Sequence, residues 1–193
     1  MYQKHDKELV VKKGLELFCS KGYNNLGIDE ICKSTGMTKG AFYNAFKSKE
    51  QFLLAAMTAF SEMTVKHLNK KLNHDKEPAV DRLIGMYQNM FAMQPKKQYV
   101  GCMVNSVMSE LGLSNELVAK AADKEFQNFL DVIEPVVKEA QDDGDLTKDM
   151  NAKILTELLH STFYGALTRA KTTKKNNNGA ETMTLLIQSL KPK

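Results

Sequence analysis

Cysteine, helix-breaking residues and long apolar runs are all scarce in this sequence. Its three cysteines are an odd number without CxxC or Cys/His ligand spacing, which argues against a disulfide framework and a zinc site. No apolar run approaches the roughly 18 to 20 residues that a membrane span requires, and the charged N-terminus is not typical of an export signal. We therefore expect a cytoplasmic protein with no membrane association and no bound metal or cofactor.

The low content of proline and glycine favours helices. Only four prolines and eleven glycines occur in 193 residues, of which 42% are hydrophobic, enough for a substantial core. Leu, Lys, Ala, Glu and Met dominate, and all five prefer helices. The composition therefore predicts an all-α protein. The net charge is +4, and residues 1–50 contribute most of it, with nine lysines against six acidic residues.

The apolar periodicity and the capping residues predict about nine helices. Four helices are predicted before residue 73, and a polar stretch near residues 73–77 separates them from five more. The first three helices are predicted at residues 5–22, 27–36 and 38–46, and the fourth starts near Ser48. The fifth is predicted from Pro78 to Pro95, the sixth from Tyr99 to Leu111, and the seventh from Ser114 to Asp142 with a kink at Pro135. The eighth starts at Asp149, and the ninth runs from Glu181 to Leu190.

The second helix, a break at Gly36 and the third helix have the spacing of a helix-turn-helix, in which the second of the two helices enters the major groove of DNA. Gly36 permits the turn and Met37 can fill the gap between the helices. Thr38 can cap the third helix and leave its backbone amides pointing toward a phosphate-rich groove. A helical hairpin whose aromatic residues only fill a core is the alternative.

The string IDEICKSTGMTKGAFYNAFKSKEQFLLAAM resembles the head of the tetracycline-repressor (TetR/AcrR) family. The resemblance rests on Phe18 and Gly22 at the end of helix one and on Ile31, Gly36, Thr38, Lys39, Gly40, Tyr43, Phe46 and the Ser48-Lys49-Glu50 start of helix four. It implies a DNA-binding head at residues 1–50 and an effector-binding and dimerisation body at residues 51–193.

The resemblance and the chemistry of the side chains together nominate a set of DNA contacts. Tyr43 and Lys49 match the family's phosphate-binding positions, and the bare backbone at Gly40 and Ala41 permits close approach to base edges. Two positions differ from the family pattern: Gly27 stands where a capping Ser or Thr is common, and Asn44 stands where a His is common. The expected DNA-binding residues are Gly27, Thr38, Lys39, Gly40, Ala41, Tyr43, Asn44 and Lys49.

In the body, the resemblance implies an effector pocket enclosed by helices four to seven and a homodimer formed by the last two long helices. This half is rich in methionine and aromatic residues, which suit an adaptable apolar pocket but equally suit an ordinary helical core. Gly165 and Ala166 would allow close helix approach between two subunits. The candidate pocket residues are Phe60, Met63, Tyr87, Met90, Phe91, Cys102, Phe126 and Phe163.

Cys102 is a candidate sensor of electrophiles or oxidants. It lies at the start of predicted helix six, where the helix amides favour the reactive thiolate. The segment GCMVNSVMSELG resembles a subgroup of TetR-type repressors that sense electrophiles or oxidants through a cysteine at this place. A small buried hydrophobic role is the alternative. His160 is the one histidine on an apolar helix face, where we expect a hydrogen-bonded or interfacial role and no metal.

These patterns together predict a transcription regulator, a repressor that binds a palindromic double-stranded operator and leaves it when a small apolar or electrophilic effector arrives. No nucleophile and base pair, carboxylate dyad or phosphate loop suggests an enzyme. A helical carrier of small molecules and a DNA-binding protein that does not repress remain as alternatives.

Overall fold

The computed structural model describes residues 6–74 and 76–192, and this part of the chain folds into nine α-helices and one 3₁₀ turn, with no strand. The predicted all-α class is therefore confirmed. No helix in these ranges is long and apolar enough to cross a membrane. The helices are α1 (Lys7–Lys21), α2 (Ile28–Thr35), α3 (Lys39–Phe46), α4 (Lys49–Leu72), α5 (Ala79–Ala92), α6 (Met103–Leu111), α7 (Glu116–Asp142), α8 (Ala152–Thr173) and α9 (Gly179–Ser189), with the 3₁₀ turn at Pro95–Lys97.

The chain divides into two compact units. Unit 1 combines the chain up to Met63 with Cys102–Glu125, and unit 2 combines Thr64–Gly101 with the chain from Phe126 onward. Unit 1 therefore contains α1 to α3, α6 and the first parts of α4 and α7. Unit 2 contains α5, α8, α9 and the remaining parts of α4 and α7.

The core of unit 1 is built around the ring of Phe52 on α4. Its centroid lies 5.7 Å from that of Phe18, 5.3 Å from that of Phe42 and 4.7 Å from that of Phe46. The Phe52 side chain is fully buried, so α1, α3 and the start of α4 share one apolar centre. This packing fixes the inner face of α3 and leaves its outer face to solvent.

The core of unit 2 depends on close approach between α5 and α9. A Cβ atom added to Gly179 would lie 2.3 Å from the ring of Phe91, so the glycine lets the start of α9 lie against that ring. Gln88 on α5 also donates to the Thr184 hydroxyl on α9 at 3.1 Å. Helix α8 packs against α9 as well.

Helix α6 starts at Met103 in the structure and not at the predicted Tyr99. Gln98 and Tyr99 adopt left-handed backbone conformations with φ of 54° and 57°, and Gly101 has φ of 79°. Three left-handed residues cannot begin a right-handed helix, and nothing in their side chains marks two of them for that conformation. The chain therefore makes a turn here, with the amide of Tyr99 donating to the carbonyl of Gln94 at 2.8 Å.

Three later helices start two or three residues from the predicted positions, and the predicted start of the first helix at residue 5 lies outside the described residues. The side chain of Asn115 caps α7 in place of Ser114, accepting from the amide of Val118 at 3.0 Å. Asn151 caps α8 in place of Asp149, accepting from the amide of Ile154 at 2.9 Å. Helix α9 begins at Gly179 rather than at Glu181. Helix α7 continues through Pro135 to Asp142.

Candidate DNA-binding face and effector site

The turn between α2 and α3 has the geometry that the sequence predicts. Gly36 ends α2 in the left-handed region, with φ of 72° and ψ of 11°. Met37 is 9% exposed and fills the space between the helices. The hydroxyl of Thr38 accepts a hydrogen bond from the amide of Ala41 at 3.2 Å, so Thr38 caps α3 as expected. These features hold α3 at a fixed angle to α2.

Helix α3 has one buried face and one exposed face. Phe42 and Phe46 are buried in the core of unit 1. Tyr43 is 48% exposed, and its ring packs edge-on against Phe42 at 5.6 Å. Four of the predicted DNA contacts on α3 are exposed, namely Lys39, Gly40, Tyr43 and Asn44, and the capping residue Thr38 is exposed as well. The fifth predicted contact on this helix, Ala41, is half-buried.

Lys39 forms an ion pair with Asp29 at the start of α2. The ammonium lies 2.6 Å from the carboxylate, and both side chains are mostly exposed. The hydrogen bond to Asp29 raises the pKa of Lys39, and the charge of Asp29 adds to the effect. Because the pair is open to solvent, a DNA phosphate or base edge can replace Asp29 as the partner at little cost.

Lys49 is more enclosed than the sequence suggests. Its ammonium donates to the carbonyl of Tyr23 at 2.9 Å and to that of Leu26 at 3.0 Å, and it lies 4.0 Å from the centre of the Tyr23 ring. Two of its three donors are therefore used to join the start of α4 to the turn between α1 and α2. One donor remains for a phosphate.

Gly27 begins α2 without any side-chain cap. It is exposed, and a Cβ added there would meet no atom within 4 Å. Its contribution to a DNA contact is therefore limited to backbone groups, because glycine has no side chain that could take the place of the family's Ser or Thr. The glycine also leaves room for a phosphate to approach the helix N-terminus.

Glu110 on α6 is a residue of unit 1 that sequence reasoning missed. Its carboxylate accepts hydrogen bonds from the amides of Tyr23 at 2.9 Å and Asn24 at 2.7 Å. The turn that follows α1 therefore closes around a carboxylate that is supplied from the far end of α6. Since Lys49 holds the carbonyls of the same turn, α4 and α6 together fix the position from which α2 starts.

The candidate effector residues fall into both units. Phe60 is half-buried, Met63 is 58% exposed, and Cys102 is half-buried at the N-cap of α6; all three belong to unit 1. In unit 2, Tyr87, Phe91 and Phe163 are buried, whereas Phe126 and Met90 are half-buried. The structure brings four of the unit 2 residues into one aromatic cluster, namely Tyr87, Phe91, Phe126 and Phe163.

His160 on α8 lies at the centre of this cluster, where the sequence did not lead us to place a binding residue. Its side chain is 1% exposed, and neither ring nitrogen has a hydrogen-bond partner, so the expectation of a hydrogen-bonded histidine is wrong. Burial lowers its pKa to about 3, which keeps the ring neutral. Five rings surround it, with centroids 4.9 to 6.2 Å from its own: Tyr87, Phe126, Phe129, Phe163 and Tyr164.

Within residues 6–74 and 76–192, no three His, Cys, Asp or Glu side chains come together in a way that would hold a metal ion. The chemistry available is thus of two kinds. Unit 1 presents a capped helix with a polar and cationic outer face. Unit 2 encloses neutral polar atoms among aromatic rings.

Two family models match the chain. Residues 10–56 match bacterial regulatory proteins of the tetR family, and residues 79–186 match the tetracyclin repressor-like C-terminal domain. The HTH-type transcriptional repressor DhaR of Mycobacterium sp. (strain GP1) is 25% identical over 96% of this chain and 92% of the relative.

Solved structures are similar over nearly the whole chain. The regulatory protein TetR from Rhodobacter sphaeroides superposes with a TM-score of 0.87 at 24% identity, covering 96% of this chain and 98% of that one. The reduced form of NemR from E. coli superposes with a TM-score of 0.84 at 20% identity, covering 96% of each chain. At these identities the superpositions establish the shared fold.

Proposed function

This chain belongs to the tetR family of bacterial regulatory proteins and is a DNA-binding transcriptional regulator, and we propose that it acts as a homodimeric repressor that leaves a palindromic operator when a small effector binds. Residues 1–50 supply the DNA-binding head, and residues 51–193 supply effector binding and dimerisation. The proposal places the protein in the cytoplasm, with double-stranded DNA as its partner, and gives it no catalytic role.

The exposed face of α3 is the observation that carries this proposal. A helix of eight residues with its inner face buried and its N-terminus capped by Thr38 is a rigid reader for the major groove. Lys39 and Asn44 reach base edges, and Gly40 with Ala41 allows the backbone close to them. The Tyr43 hydroxyl, the third donor of Lys49 and the backbone at Gly27 bind phosphates.

The surfaces of α8 and α9 support the dimer. Ile154 and Leu158 on α8 are 55% and 40% exposed, and Leu185 on α9 is 58% exposed. A Cβ added at Gly165 would meet nothing within 4 Å, so this part of α8 can receive another helix. TetR-family regulators dimerise, and a two-fold dimer would present two copies of α3 about one DNA turn, roughly 34 to 36 Å, apart.

Removing the polar ends of Lys39 and Tyr43 is expected to weaken specific binding to the operator. We expect Lys39→Gln and Tyr43→Phe each to weaken operator binding by about tenfold or more, since a good base or phosphate contact contributes roughly 1 to 3 kcal/mol. Tyr43→Phe keeps the ring that packs on Phe42, so the fold of α3 is preserved. Fluorescence anisotropy at one fixed salt concentration, on a fragment enriched from genomic DNA by the purified protein, measures the change.

Lys66→Gln is the matched control, because Lys66 is an exposed lysine of α4 outside the α3 face. It should leave the dissociation constant nearly unchanged. If no genomic sequence is enriched by the folded wild-type protein, or if Lys39→Gln and Tyr43→Phe bind like the wild type, the operator-binding role is wrong and the carrier hypothesis gains. A reporter placed under the enriched fragment separates repression from activation.

Modification of Cys102 is the second route to release that this proposal includes. Cys102 is the N-cap of α6, the helix whose Glu110 holds the turn after α1. We expect N-ethylmaleimide to lower operator affinity in the wild type and not in Cys102→Ser, because a bulky adduct at the N-cap would displace the start of α6. The variant Cys19→Ser, which keeps Cys102, should respond like the wild type; equal release from all three proteins would contradict the role of Cys102.

A further inference from the structure

The aromatic cluster of unit 2 contains polar atoms without partners. Both ring nitrogens of His160 and the hydroxyl of Tyr87 are buried, and none of the three has a hydrogen-bond partner. Buried polar groups in proteins are almost always hydrogen-bonded, so three such atoms on neighbouring rings require an explanation. The Tyr87 and His160 rings lie 6.2 Å apart, and Phe163 is within 5.4 Å of both.

We propose that His160 and Tyr87 are the polar end of an effector site in unit 2, whose ligand is a small uncharged molecule with an apolar, ring-sized body and one carbonyl or hydroxyl group. The inference rests on the proposed function, since it names the ligand class for the effector-controlled regulator. The rings of Phe129, Phe163 and Tyr164 beside His160 receive the body of the ligand. The imidazole and the phenol receive its oxygen.

The protonation states of the two residues restrict the ligand. Burial lowers the pKa of His160 to about 3 and raises that of Tyr87, so both side chains are neutral at physiological pH. A neutral imidazole offers one donor and one acceptor, and a phenol offers a donor and an acceptor. This set complements a carbonyl or hydroxyl. A carboxylate would bring a charge among aromatic rings, where an unpaired ion is strongly disfavoured.

The half-buried ring of Phe126 suggests the route of entry. Its centroid lies 5.6 Å from that of His160 and 5.3 Å from that of Tyr164, while the residue itself reaches the surface. The buried Phe129 and Phe163 rings close the cluster on other sides. Rotation of Phe126 would therefore open the imidazole to a ligand of one or two rings, which would take the place that the phenyl ring vacates.

Three probes of nearly equal shape test the ligand class: 2-acetylnaphthalene, its oxygen-free analogue 2-isopropenylnaphthalene, and the charged 2-naphthoate. Equilibrium dialysis with the full chain gives the three dissociation constants. We expect the ketone to bind about tenfold more tightly than either of the others, since hydrogen bonds to buried partners in an apolar site contribute on this order. Tyr87→Phe removes only the hydroxyl oxygen. It should reduce the preference for the ketone to about threefold or less without weakening the binding of the hydrocarbon.

His160→Leu tests the second polar residue and should lose the preference for the ketone over the hydrocarbon. His160→Gln keeps a donor and an acceptor, so it should retain part of that preference. Tyr99→Phe is the control, because Tyr99 lies in the turn before α6, outside the aromatic cluster. Equal affinity for ketone and hydrocarbon, tighter binding of the naphthoate, or no binding of the ketone to the folded wild type would each overturn the proposal. Operator binding is measured without any probe, so failure of the DNA-binding role appears separately from failure of the ligand class.

Discussion

Replacing Arg82 by methionine is expected to lower the free energy of unfolding by about 2 to 3 kcal/mol, because a buried carbonyl group loses its hydrogen-bond donor. Arg82 lies on α5 and is 5% exposed. Its guanidinium donates to the carbonyl of Leu72 at the end of α4, to the carbonyl of Glu77 at 3.1 Å and to the carboxylate of Glu139 on α7. One side chain therefore joins three segments of unit 2.

The cost arises from the groups that the arginine leaves behind. Methionine has about the same length and can fill the volume, but it donates no hydrogen bond, so the carbonyls of Leu72 and Glu77 lose their partner. Glu139 is half exposed and can return to water. Urea unfolding at a fixed protomer concentration measures the difference, because the stability of a dimer depends on concentration.

Glu139→Gln is the control for the charge itself. The amide oxygen still accepts from Arg82, and because Glu139 is half exposed we expect a change of about 1 kcal/mol or less. A loss for Arg82→Met no larger than that for Glu139→Gln would show that the three hydrogen bonds do not hold these segments together. A loss several times larger would confirm that α4, α5 and α7 are joined through this side chain.

The geometry of the proposed DNA-binding face was predictable because its signals are local. Gly36, Thr38 and the apolar pair Phe42 and Phe46 lie within eleven residues, and each acts through its nearest neighbours in the chain. Turn conformation, cap and buried face follow from such short-range patterns. The sequence therefore predicts where α3 begins, which way it faces and which side chains remain exposed.

The residues that connect distant segments could not be predicted in the same way. Glu110 accepts from amides 86 and 87 positions earlier, and Arg82 bonds to a carboxylate 57 positions later. Neither partner is encoded near the residue itself. The sequence likewise identified an apolar face around His160, but the absence of a partner for its nitrogens depends on side chains that α5 and α7 bring against it.

The isolation of His160 predicts a strong dependence of stability on acid. The imidazole is buried among rings, and the phenols of Tyr87 on α5 and Tyr164 on α8, which lie against it, carry no charge at acid pH. In the unfolded chain the histidine has its ordinary pKa of 6.5, whereas in the folded protein burial lowers the pKa to about 3. Between these two values the unfolded state binds one more proton than the native state.

Folding stability from this source is therefore complete above pH 6.5 and is lost as the pH falls toward 3. Each pH unit in the window changes the free energy of unfolding by about 1.4 kcal/mol, so a fall from pH 6.5 to 4.5 should cost about 2 to 3 kcal/mol. Urea unfolding at a series of pH values measures the slope. His160→Gln carries no titrating ring and should remove this part of the slope.

His67→Gln provides the comparison, since His67 is an exposed histidine of α4 that bonds to the side chain of Asn89 at 3.1 Å. Its replacement should leave the acid slope close to that of the wild type. If His160→Gln shows the same slope as the wild type, the imidazole is not held neutral by burial, and the site around it admits water or a charged partner. A slope lost only in His160→Gln would establish that unit 2 keeps an uncharged imidazole, which is the state that a neutral ligand requires.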